Sequence, residues 1–98
     1  MTIENVKKED VLLLKVEGRV DTTTAPMFED EIKKNIEGIK ELVIDLEKMD
    51  YISSAGLRVL LSAQKIMDKQ GKMKVKNVNE NIMDIFEITG FDTILTIE

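Results

Sequence analysis

Apolar and polar residues recur along the chain with the periods of strands and helices. Val11 to Gly18 alternates towards its end and predicts a strand, while the almost continuously apolar Glu41 to Leu46 predicts a strand buried on both faces. Phe28, Ile32 and Ile36 form one apolar stripe at helical spacing. The pattern predicts, in order, strands at 2–7 and 11–18, a helix at 25–37, a strand at 41–46, a helix at 57–70, a strand at 72–78, a helix capped by Asn79 and ended by Gly90, and a strand at 93–97.

The ends of these elements carry turn and helix signals. A threonine cap before Pro26 predicts the start of the first helix, and Gly38 its end. The order β-β-α-β-α-β-α-β predicts an α/β fold in one domain over residues 1–98, with a mostly parallel sheet of four to five strands, an antiparallel edge strand and three helices.

In such a sheet functional groups gather where strand carboxyl ends meet helix amino ends. Here those places are the loops Arg19 to Thr24 and Asp50 to Gly56.

Composition narrows the chemistry. The 98 residues contain neither cysteine nor histidine, which excludes a disulfide framework, a cysteine nucleophile, a Cys/His zinc site and a histidine base. No glycine-rich phosphate loop or dinucleotide fingerprint is present, so we predict no enzyme activity and no catalytic residue, metal or cofactor.

Charge and hydropathy bear on partners and location. The net charge of −5 disfavours nucleic acid as a partner. No secretory pattern is found at the amino terminus, and no apolar run approaches the ~20 residues that span a bilayer. We therefore expect a cytoplasmic protein without membrane contact.

The most informative stretch lies between the central strand and the second helix. Ser53 and Ser54 stand at a strand-to-helix turn, just before the helical pattern that begins at Leu57. Either hydroxyl could cap the helix by binding a free backbone N–H of its first turn, which typically contributes ~1 kcal/mol. The residues alone leave open whether either serine has a function beyond capping.

The same stretch resembles a known family. Ile52 to Leu61 is similar to the signature of STAS domains, and more narrowly to that of bacterial anti-sigma factor antagonists, in which a serine precedes a small residue and Gly-Leu at the start of the second helix. Nearly the whole chain shares this resemblance, which implies the STAS fold. Further similar segments follow the family's order and are Glu17 to Ala25, Leu42 to Leu46, and Phe86 to Phe91.

The resemblance implies a specific function. Such proteins bind an anti-sigma factor that is also a serine kinase of the histidine-kinase-like ATPase superfamily, and thereby release a sigma factor. The kinase phosphorylates the antagonist on a serine, the complex dissociates, and a PP2C-type phosphatase restores the antagonist. Alignment on Gly56 and Leu57 places the phosphoacceptor at Ser54. Many relatives carry Asp before the acceptor and Ser or Thr after it; Ser53 and Ala55 stand there instead, which makes Ser53 the rival acceptor.

The predicted partner-binding surface combines the two loops with the start of the second helix. Asp21 could equally be a cap or turn residue, and Arg58 could pair with a phosphate, pair with an acid of the partner, or face solvent. We expect the protein to be a monomer. The predicted partner-binding residues are Asp21, Thr22, Thr23, Thr24, Tyr51, Ser53, Ala55, Gly56, Leu57 and Arg58.

The physics of a phosphate predicts how such a switch would act. Phosphoserine adds roughly 1.5–2 negative charges, which the backbone N–H groups of a helix amino terminus accommodate. Its effect is therefore expected at the interface rather than on the fold. The alternative function is a non-switching STAS adaptor of a stress-sensing or lipid-transport assembly, in which the serine is only a cap.

Overall fold

The computed structural model describes residues 1–98 as five strands, three α-helices and one short 3-10 helix. Their order is β-β-α-β-β-α-β-α, followed by the 3-10 helix. The elements are β1 Thr2–Lys8, β2 Val11–Val20, α1 Ala25–Asn35, β3 Glu41–Asp45, β4 Met49–Ile52, α2 Ser54–Gln70, β5 Lys72–Lys76, α3 Glu80–Thr89 and the 3-10 helix Phe91–Thr93.

All five strands belong to one sheet, and β2 is its organising strand. The order is β1-β2-β3-β5, with β1 antiparallel to β2 and the remaining pairs parallel, which confirms the predicted antiparallel edge. The first half of β2 pairs with β3 and its last residues pair with β4. The register between β2 and β4 shifts between Gly18 and Arg19, and Gly18 has a φ of +86° that glycine adopts without strain. This bulge carries the end of β2 away from β3 towards the start of α2.

The core lies between one face of the sheet and the helices. Alternate residues of β2 and β3, among them Leu12, Leu14 and Ile44, are fully buried on that face. Helix α1 packs on β2 and α2, helix α2 packs on β5, and α3 packs on β4. The carboxyl end is tied to the opposite, more exposed face, where Lys74 forms ion pairs with Glu41 at 3.2 Å and Glu98 at 3.3 Å. These two carboxylates raise the pKa of Lys74, the hydrogen bond to Glu41 having the larger effect.

The predicted element order is wrong in two places. Strand β4 was not predicted, because its buried residues Met49 and Ile52 are three apart rather than two. Asp50 has no partner in β2, and this irregularity breaks the alternation that reveals a strand.

The predicted last strand at 93–97 does not form. Gly90 ends α3 with a φ of +81°, and the chain then makes a 3-10 turn in which Ile94 and Leu95 donate backbone hydrogen bonds to the Phe91 carbonyl. Only a single parallel bridge, between Val75 and Ile97, reaches the sheet.

Two helix boundaries also differ from the prediction. Helix α1 ends at Asn35 rather than residue 37, because the Gln70 side chain donates hydrogen bonds of 2.8 Å to the carbonyls of Ile36 and Ile39 beyond it. Helix α2 begins at Ser54 rather than Leu57, so both serines lie at the helix start itself. No helix in the structure has the length and hydropathy needed to cross a membrane.

Candidate functional site

The loop between β2 and α1 is organised by the Asp21 carboxylate. One of its oxygens accepts hydrogen bonds from the Thr23 hydroxyl at 2.7 Å, the Thr23 N–H at 3.0 Å and the Thr24 N–H at 3.2 Å. The Thr23 hydroxyl, and then these N–H groups, lower the pKa of Asp21 below its ordinary value, so the carboxylate is charged at neutral pH. Of the two roles considered for Asp21, the structure shows the turn role directly.

The threonine before α1 is placed as predicted but does not cap the helix with its side chain. Thr24 precedes Ala25, and its hydroxyl turns back into the loop, where it donates to the Arg19 carbonyl at 3.0 Å and accepts from the Asp21 N–H at 2.9 Å. Thr22 and Thr23 are exposed on the same loop. Hydrogen bonds within the loop therefore stabilise it, and Thr22 and Thr23 are its solvent-exposed threonines.

The two serines at the start of α2 differ in their surroundings. Ser53 is the cap residue: its hydroxyl oxygen accepts from the Gly56 N–H at 3.4 Å, and its own N–H donates to the Val20 carbonyl at 2.8 Å. Ser54 is the first residue of the helix, is exposed, and takes no part in the cap. The Ser53 hydroxyl thus caps the helix, whereas the hydroxyl of the adjacent Ser54 is accessible to a partner.

Two of the predicted partner-binding residues point into the domain. Leu57 is only 6% exposed and Gly56 is buried. A Cβ on Gly56 would lie 2.6 Å from Cγ1 of Ile52 and 2.8 Å from Cγ1 of Val20, so this glycine lets α2 approach the strands. Gly56 and Leu57 therefore have a packing role in this domain, and partner contact by them stays a prediction that their burial does not favour.

Arg19 is a surface residue at the site that the sequence did not single out. It lies opposite Tyr51 in the β2–β4 pairing, and its guanidinium carbon lies 4.5 Å from the centroid of the Tyr51 ring, a cation–π distance. Both side chains are exposed. Only the pairing of β2 with the unpredicted β4 brings them together, so no local sequence signal could have found the contact.

A groove of about 220 Å³ separates the first turns of α1 and α2. Arg58 is exposed on its α2 side, and no carboxylate lies within 4.0 Å of its guanidinium. Glu29, on the α1 side, is instead paired with Lys33 at 3.4 Å. The residues lining the groove are Thr22, Ala25, Pro26, Glu29, Ala55, Arg58 and Val59.

Replacing each serine by alanine separates the cap from the exposed hydroxyl. Ser53→Ala removes the cap and is expected to lower the free energy of unfolding by about 0.5–1 kcal/mol. Ser54→Ala is expected to change it by less than ~0.5 kcal/mol, because its hydroxyl is not part of the cap. Urea denaturation of the two variants measures the difference, and an equal loss in both would show that Ser54 also stabilises the helix.

Comparison with known sequences places this arrangement in a family. The sequence pattern of the STAS domain matches residues 2–98. The putative anti-sigma factor antagonist BtrV of Bordetella bronchiseptica is 34% identical over 93 residues, which cover 93% of this chain and 80% of that protein. The chain therefore belongs to the STAS domain family and, within it, to the anti-sigma factor antagonists, which are regulatory binding proteins rather than enzymes.

Solved structures confirm the predicted STAS fold. The crystal structure of an anti-sigma factor antagonist from Mycobacterium paratuberculosis matches with a TM-score of 0.88 at 25% identity, over 98% of this chain and 83% of that one. The anti-sigma factor antagonist SpoIIAA matches in both its unphosphorylated and its phosphorylated form with a TM-score of 0.77, at 11% and 12% identity. These matches cover 99% of this chain and 87% and 91% of the two SpoIIAA chains.

Proposed function

We propose that the protein binds an anti-sigma factor that is also a serine kinase, that this binding frees a sigma factor, and that phosphorylation of Ser54 reverses it. The observation that carries the proposal is that the two serines differ in their hydrogen bonding and exposure. Ser53 is engaged as the cap, whereas Ser54 is exposed at the first position of α2. An exposed hydroxyl can enter the active site of a kinase without unfolding the helix that presents it.

The proposed phosphorylation requires only a serine hydroxyl from this chain. The Ser54 oxygen attacks the γ-phosphorus of ATP, its hydroxyl proton passes to a base of the kinase, and ADP leaves. A PP2C-type phosphatase then hydrolyses the phosphoserine to serine and phosphate. The catalytic groups of both steps belong to the partner enzymes, which is compatible with a chain that contains no histidine and no cysteine.

The surroundings of Ser54 suit a phosphate in the free protein. The unpaired N–H groups of the first turn of α2 favour negative charge beside them. SpoIIAA in its phosphorylated form has the fold of this chain, which supports a modification that leaves this architecture intact. The switch would therefore act on the complex rather than on the domain.

Phosphotransfer to the purified protein tests the proposal. Incubation with ATP and the anti-sigma kinase encoded beside its gene is expected to raise the mass by about 80 Da, one phosphoryl group. Ser54→Ala should abolish the increase and Ser53→Ala should retain it. Modification confined to Ser53 would overturn the choice of acceptor, and the absence of both transfer and binding would favour the non-switching STAS adaptor.

A further inference from the structure

Ser54 and Arg58 are four residues apart on α2, and both are exposed. Residues at this spacing lie on one face of a helix, with Cβ atoms about 5–6 Å apart. The order also matters, because an acid that precedes a base by four residues interacts better than the reverse arrangement. A phosphate on Ser54 would therefore come within reach of the Arg58 guanidinium through side-chain rotation alone.

Arg58 is available for such a pair because the acids around it are engaged elsewhere. Glu29, across the groove, forms an exposed ion pair with Lys33 at 3.4 Å, one turn along α1. Asp21, in the neighbouring loop, accepts hydrogen bonds from Thr23 and Thr24. The guanidinium thus stands at the rim of the groove without a carboxylate within 4.0 Å.

We propose that Arg58 reports the phosphorylation state of Ser54 to the partner. In the unmodified protein Arg58 binds an acidic side chain of the anti-sigma partner at the groove, and in the modified protein phosphoserine 54 takes Arg58 from that partner. The inference rests on the proposed phosphorylation of Ser54 and adds the residue through which it acts.

The groove itself argues for an acidic side chain as the occupant. Ala25, Pro26 and Val59 give it apolar walls, which weaken solvent screening of a charge pair formed inside it. Arg58 is the only cation among its lining residues, and the only lining acid is already paired with Lys33. Phosphorylation would remove the one positive charge that the groove offers and place a dianion one helical turn away.

A titration of the phosphate tests, without any kinase, whether phosphoserine 54 pairs with Arg58. Phosphoserine is installed at position 54 by chemical synthesis, and its second pKa, ordinarily about 6, is followed by phosphorus NMR. We expect this pKa to be about 0.3 unit higher in Arg58→Gln than in the parent, because the guanidinium stabilises the dianion. Arg58→Lys should recover most of the difference.

Lys65→Gln is the matched control, since it removes the same charge from an exposed position farther along α2. It should leave the phosphate pKa within about 0.1 unit of the parent value. Equal titration curves for Arg58→Gln and Lys65→Gln would overturn the pairing of phosphoserine 54 with Arg58. Since the phosphoserine is installed chemically, a failure of enzymatic transfer would count against the proposed function and not against this result.

Binding of the unmodified variants to the anti-sigma kinase tests whether Arg58 contacts an acidic side chain of that partner. Arg58→Gln is expected to weaken binding about 10-fold, and Lys65→Gln to leave it unchanged. Phosphoserine installed at position 54 should then lower the affinity for the kinase less in Arg58→Gln than in the parent protein. Parental affinity in Arg58→Gln would refute the groove contact.

Discussion

Phosphoserine at position 54 is expected to weaken binding of the anti-sigma partner by at least about 100-fold, or ~2.7 kcal/mol, while α2 stays folded. The modified side chain is exposed at the first position of the helix, where an interface would desolvate its roughly two negative charges. In the free protein, water and the helix N–H groups solvate the same charges. Calorimetric titration of the two forms with the kinase measures the loss.

Two variants of Ser54 test the same effect on binding with and without a negative charge at this position. Ser54→Ala should bind constitutively with the affinity of the unmodified protein, and Ser54→Asp should bind weakly, although its single charge imitates the phosphate only in part. Amide spectra of the phosphorylated protein should retain the helical signals of α2. Loss of those signals would contradict release through the interface and would indicate a refolding switch.

The second large effect is expected at Gly71, which lies between α2 and β5. A Cβ at this position would overlap the backbone oxygen of Lys40, which cannot move aside as a side chain would. That oxygen accepts a hydrogen bond from the Lys72 N–H at 2.9 Å, and the Lys40 N–H donates to the Asp10 backbone carbonyl at 2.8 Å. Gly71→Ala is therefore expected to lower the free energy of unfolding by about 3 kcal/mol, measured by urea denaturation.

Gly38→Ala is the control for this substitution. Gly38 has a φ of +78°, which disfavours alanine, but no atom lies within 4 Å of the added Cβ. The expected loss is about 1 kcal/mol, from backbone conformation alone. Equal losses at Gly38 and Gly71 would show that the chain relieves the contact with Lys40 at low cost.

The position of the two serines in the fold could be predicted from the sequence because the polar residues at a helix start follow local rules. The stretch from Ser53 onwards carries its helix-start signal within a few neighbouring residues, and the structure places both serines at that start. The inward orientation of Gly56 and Leu57 was missed, since it depends on the distance between α2 and the strands beneath. The Arg19–Tyr51 contact was missed for a related reason, because it requires a strand pairing between residues 32 positions apart.

The sequence by itself determined the three helices, the antiparallel edge and the buried central strand, because periodicity, caps and glycines act over a few residues. It also marked the segment in which the two serines lie. The tertiary structure alone decided which serine is exposed, how β2 divides its pairing between β3 and β4, and that Arg58 lines a groove in which its guanidinium has no carboxylate within 4.0 Å. These features arise from contacts between segments distant along the chain, where packing and backbone hydrogen bonding outweigh local preference.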